Sequence, residues 1–146
     1  MNHKKWLIED LRDLERLRFS IPQMEAELAT LEAERTAIQA TNYDKIPGGS
    51  GGNAQEDRLI NALARRDALQ ADLKATRLHV AALERLLDGL PDDERRIVQV
   101  MFIAGEKYAV GRLSEELGYE AAHIYRLKDR ALGHLAQMRW GVGYRP

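Results

Sequence analysis

Toward the end of the sequence, apolar residues recur at Ile124, Leu127, Ala131, Leu132 and Leu135, the spacing of one buried face on a helix over about 121–138. A step of about 100° per residue then turns Ala122, His123, Tyr125, Arg126, Asp129 and Arg130 outward. These are residue types that read nucleic acid. The planar fork of Arg126 presents paired N–H donors that match the O6 and N7 acceptors of guanine in the major groove. His123 and Tyr125 can donate or accept at base edges or phosphates. Ala121 and Ala122 have side chains short enough to let the start of the helix approach the groove floor. Lys128, Arg130, Lys107 and Arg112 are candidates for phosphates, contacts that position a protein without specifying sequence. The plainer reading of any single arginine here is a solvated helix face or an internal pair, such as Arg126 with Asp129.

Such a face needs shorter elements to hold it. Leu90-Pro91 precedes Asp92-Asp93-Glu94, an acidic first turn that complements the helix dipole. Ile97, Val98, Met101 and Phe102 form one apolar face over about three turns, and Gly105-Glu106-Lys107 ends that helix. A second helix is expected from about Val110 to Leu117, burying Val110, Leu113 and Leu117. Gly118 follows, where a turn that needs positive φ is most easily met. A short helix, a glycine turn and a longer helix with a basic outer face is the order of a helix-turn-helix. Charge agrees: residues 121–146 hold five basic residues and one acidic, the only clearly positive stretch in a chain with 22 Lys and Arg against 23 Asp and Glu.

The run Leu90-Pro91-x-x-Glu94-Arg95, then Gly105, Leu113-Ser114-x-x-Leu117-Gly118, Ile124, Arg130-Ala131-Leu132 and Leu135 resembles region 4 of bacterial sigma factors. More narrowly, Leu117-Gly118-Tyr119 followed by Ile124-Tyr125-Arg126-Leu127 and Arg130-Ala131-Leu132 is similar to small phage regulators of the RinA and ArpU kind. Those proteins also carry a long helical N-terminal part and a linker like Tyr43 to Gly51 here. The resemblance implies control of late phage genes and contacts to RNA polymerase. The sequence differs from the sigma pattern at three places. Ala109 and Glu120 stand where Ser or Thr commonly caps the two motif helices, and Gly111 lies inside the first of them. Nothing before residue 90 resembles the aromatic-rich promoter-melting region of a sigma factor, so a free-standing sigma factor is not expected.

The preceding part follows a different rhythm. Leu7, Leu11, Leu14, Ile21, Met24, Leu28, Leu31 and Ile38 alternate at steps of four and three, with Arg18 and Arg35 within the stripe. That is a heptad seam, interrupted near Ser20 and Pro22, where a kink or short break is expected. Residues 41–54, TNYDKIPGGSGGNA, read as a flexible connector. The glycine cluster lacks the Gly-Lys-Ser/Thr ending of a phosphate loop. From Gln55 a second seam runs through Leu59, Ala62, Arg66, Leu69, Leu73, Thr76, Val80, Leu83 and Leu87 to Gly89. The two segments can fold back as an antiparallel hairpin or pair with another chain.

The expectation is therefore an all-α protein: a long, coiled-coil-like hairpin over 1–89 with a linker at 41–54, then a helix-turn-helix domain over 90–146. Cysteine is absent, which excludes disulfides and thiolate metal sites. His3, His79, His123 and His134 lack zinc-binding spacing, and neither HExxH nor Gly-x-Ser-x-Gly occurs, so an enzyme, a metal or another cofactor is not expected. No apolar run is long enough for a membrane span, and acidic residues follow the basic start before a signal-peptide core develops, which points to the cytoplasm. Expected partners are double-stranded DNA, RNA polymerase and a second copy of the chain in a dimer. Two other readings stay open: a small-terminase-like DNA recognition subunit, and a coiled-coil adaptor whose C-terminal domain binds protein.

Overall fold

The computed structural model describes residues 2–43 and 52–146. The fold is all-α, and no strand occurs among the described residues. Two long helices, α1 (His3–Tyr43) and α2 (Gly52–Asp88), precede three shorter ones, α3 (Asp92–Val98), α4 (Ala109–Leu117) and α5 (Ala121–Trp140). Of the connector expected over 41–54, residues 41–43 and 52–54 are helical, and 44–51 lie outside the described residues. Helix α1 also runs through Pro22 without a break. Pro22 is exposed, so its ring is accommodated at the surface of the helix.

The chain divides into two compact units, Phe19–Leu78 and Met1–Arg18 together with His79–Pro146. This division does not coincide with the boundary expected at Gly89, since the second unit includes parts of both long helices. Within Phe19–Leu78, Arg77 pairs with Glu25 at 2.5 Å and Arg66 with Glu32 at 3.1 Å. One partner number rises as the other falls, so the segments run antiparallel. The seam positions Leu31, Ala62 and Leu73 are buried, while Ile21, Met24, Leu28, Ile38, Leu59 and Leu69 are half-buried. Two of the seam arginines converge on one carboxylate, since Arg35 also reaches Glu32, at 2.9 Å. The hydrogen bond from Arg66 holds the Glu32 carboxyl below its usual range, with the charges of Arg35 and Arg66 adding to it.

In the other unit, α3 continues into a π-helical turn over Gln99–Ile103, where the Ala104 amide bonds to the Gln99 carbonyl at 2.8 Å. The expected apolar face of Ile97, Val98, Met101 and Phe102 is accordingly wider, with Val100 and Ile103 also buried and Met101 only partly so. Ile97 and Val100 join Ala109, Leu113, Ile124 and Leu127 in a closed core, with Val110, Leu117 and Tyr119 packed against it. Leu7, Leu11 and Leu14 of α1, Leu83 and Leu87 of α2, and Leu132, Leu135 and Ala136 of α5 are buried as well. These elements are tied by polar contacts. Arg139 bonds Asp10, the His3 ring lies 4.6 Å from that of Trp140, and Arg95 donates to the Leu87 and Leu90 carbonyls at 3.0 and 2.9 Å. Arg95 thereby satisfies the Leu87 carbonyl at the end of α2 and that of Leu90 just beyond it, where a cation also suits the helix dipole. Gly89 leaves room there for a close neighbour: a Cβ would stand 2.7 Å from the Met138 sulfur, which would have to move aside.

Among the described residues of this unit, Glu94 is the buried carboxyl, 2% exposed. It is the third residue of α3, a place from which glutamate often reaches back to the amide of the capping residue. Here the cap is Pro91, which has no N–H. Glu94 instead meets His134 Nδ1 at 2.8 Å.

Two outcomes are expected. His134→Ala strands a desolvated carboxylate and should cost about 1–3 kcal/mol in urea unfolding. Glu32 contributes stability above the ordinary carboxylate range, which is lost as pH falls through its lowered folded value. Glu32→Gln should therefore lower the melting temperature of the full chain at neutral pH and flatten its decline in acid, as followed by circular dichroism.

Candidate nucleic-acid interface

The side chains singled out by the sequence lie on α4, α5 and the loop before them. Helix α4 begins one residue earlier than expected, at Ala109, with Tyr108 as its cap and no side-chain capping bond. Its end is a left-handed turn at Gly118, φ 73°, whose amide bonds to the Ser114 carbonyl at 3.0 Å. The Ser114 hydroxyl donates to the Tyr119 carbonyl, so one serine braces both sides of the turn. Glu120 is extended and caps α5 through its backbone, its carbonyl accepting from the amides of His123 and Ile124 at 3.0 and 3.1 Å. Ile124 and Leu127 are locked in the core, and that fixes what the rest of the helix presents.

Ala122, Tyr125, Arg126 and Arg130 are exposed, and His123 and Lys128 are half-buried. These six share α5. Lys107 and Arg112 lie before and within α4; Arg112 is paired with Glu106, and the Lys107 ammonium stands 5.7 Å from the Tyr108 ring centre. Arg112 is thus already partnered by a carboxylate. The pairing of Arg126 with Asp129 does not form. Lys128 takes Asp129 at 3.3 Å and also lies 5.4 Å from the Tyr125 ring centre, while the Arg126 guanidinium approaches His123 Nδ1 at 3.5 Å. Arg130 has no ion-pair partner among the described residues.

Three positions were not foreseen. Tyr108 is 77% exposed beside Lys107, an aromatic on the surface next to a cation. Tyr119 donates its hydroxyl to Asp93 at 2.5 Å, and that bond to a carboxylate is the main reason its phenol titrates above its usual value. Arg96 grips Glu116 with two nitrogens at 2.9 and 3.0 Å, joining α3 to α4 and holding the Glu116 carboxyl below its usual range. The adjacency Gly118-Tyr119 was visible in sequence, but the partner on α3 was not.

Among the described residues, no group of His, Asp and Glu is arranged to hold a metal ion, and no helix is long and apolar enough to cross a membrane. No family model matches this chain, and neither does any curated protein or solved structure.

The turn carries its own test. Gly118→Ala forces a Cβ into the left-handed region and should destabilise the chain by about 1–2 kcal/mol in denaturant unfolding, although the space around the position is open.

Proposed function

We propose that this chain is a sequence-specific, duplex-DNA-binding regulator of transcription that inserts the first half of α5 into the major groove. The observation that carries the reading is the exposed face of that helix. It starts with two alanines and then presents Tyr125, Arg126 and Arg130 to solvent, on a helix anchored by Ile124 and Leu127. A helix offered to a groove needs small residues at its leading end and donors beyond them, on a base that does not yield. Lys107, Lys128 and Arg130 supply cations for backbone phosphates, and exposed Tyr108 adds a hydroxyl beside the first of them.

The similarity of 90–135 to sigma factor region 4, and of 117–132 to phage regulators of the RinA and ArpU kind, supports transcription as the process, late phage genes as the target class and RNA polymerase as a further contact. A dimer fits the same reading. The seam of Phe19–Leu78 is largely half-buried, and Phe19, Ile60 and Leu78 are exposed, apolar surface that a second copy would cover. Two copies would read two half-sites.

Binding to cognate and scrambled duplexes over a range of salt tests the assignment. Arg126→Ala should weaken cognate binding by about 1–3 kcal/mol and relax preference at one or two base pairs. Lys107→Ala should weaken all duplexes alike and reduce the salt dependence by about one unit. An Arg126→Ala chain that stays folded and binds its cognate site unchanged would place a different face in the groove.

A further inference from the structure

The outer face of α5 is held by a chain of contacts that begins on another helix. Asp93 of α3 accepts the Tyr119 hydroxyl at 2.5 Å. Tyr119 lies in the turn before α5, with its carbonyl held by Ser114. Its ring meets that of His123 edge to face, the centres 4.6 Å apart and the planes at 86°. His123 Nδ1 in turn lies 3.5 Å from an Arg126 guanidinium nitrogen. Arginine can only donate, so a hydrogen bond here requires Nδ1 to accept, which would put the ring proton of His123 on Nε2.

We infer that Tyr119 is a positioning residue for base recognition: anchored by Asp93, it fixes the His123 ring, which aims Arg126 at a guanine. The inference rests on α5 being the DNA-reading helix. An exposed guanidinium on a flexible stem samples many orientations, and only a narrow set presents two N–H groups to O6 and N7 together. Asp129, the carboxylate nearest in sequence, is occupied by Lys128, which leaves His123 as the group that restrains Arg126. The base class follows from the same geometry. Arg126 and the Nε2–H of His123 offer donors alone, and guanine is the base whose major-groove edge offers two acceptors and no donor.

Selection of bound sequences from randomised duplexes, with the full chain and its variants, tests the inference. Wild type should select a guanine at one fixed position, and Arg126→Ala should lose that selection. Tyr119→Phe removes only the hydroxyl. It should keep the affinity for scrambled duplex and lower the guanine preference by about five- to tenfold. Adding Tyr119→Phe to Arg126→Ala should lower the preference no further, since both act through one contact. In the DNA-free protein, ring-nitrogen NMR of His123 should show the Nε2–H tautomer in wild type and a mixture in Tyr119→Phe. The inference is overturned by undiminished guanine preference in Tyr119→Phe, by additive effects of the two substitutions, or by an Nδ1–H tautomer in wild type. A wild-type chain that selects no sequence at all would instead remove the DNA-reading assignment itself, and the inference with it.

Discussion

Ile124 and Leu127 are packed into a core with Ile97, Val100, Ala109 and Leu113, and what α5 presents to solvent depends on that packing. A helix has one rotational degree of freedom about its axis. Burying two positions three residues apart removes it, and Ala122, Tyr125, Arg126 and Arg130 are then outward by geometry. Gly118 acts on the same constraint from the other side. Its left-handed backbone lets α4 stop and α5 start within three residues, so both helices deliver apolar faces to one small core. Two contacts, the ion pair of Arg96 with Glu116 and the hydrogen bond between Glu94 and His134, tie α3 to α4 and to α5 rather than adding to the outer face.

Much of this was legible in the sequence because helical periodicity is a local property. The seams of both long segments, the inner face of α5, the turn at Gly118 and the outward set from Ala122 to Arg130 all follow from residue spacing within one element. The connector was overestimated at both ends because composition alone marks where helix is disfavoured, and neighbouring turns carried the helix into 41–43 and 52–54. Pro22 was read as a kink or short break on the same grounds, and although it withholds one backbone donor the helix continues through it.

What escaped was non-local. The hydrogen bond from Tyr119 to Asp93 spans 26 residues, and Glu94 meets His134 across 40. No spacing rule anticipates either. The π turn at Gln99–Ile103 was not anticipated either, and Val100, Phe102 and Ile103 are buried in it. The internal pair offered as the plainer reading of Arg126 is absent for a related reason. Asp129 was the obvious carboxylate by spacing, but Lys128 reaches it first and leaves the guanidinium to His123. For the unit Phe19–Leu78 the sequence showed two seams with arginines in them. The structure adds that Arg35 and Arg66 share Glu32, which turns a polar interruption into a fixed pairing of the two helices.

The central claim is that the first half of α5 is the surface that meets DNA. Amide hydrogen exchange of the full chain, free and with a duplex selected from a random pool, measures that surface residue by residue. The account predicts slowed exchange over 108–112 and 121–130, with 19–40 and 55–78 left largely as they were or slowed only where copies pair. Protection by DNA confined to the long helices, with 121–130 unchanged, would contradict it.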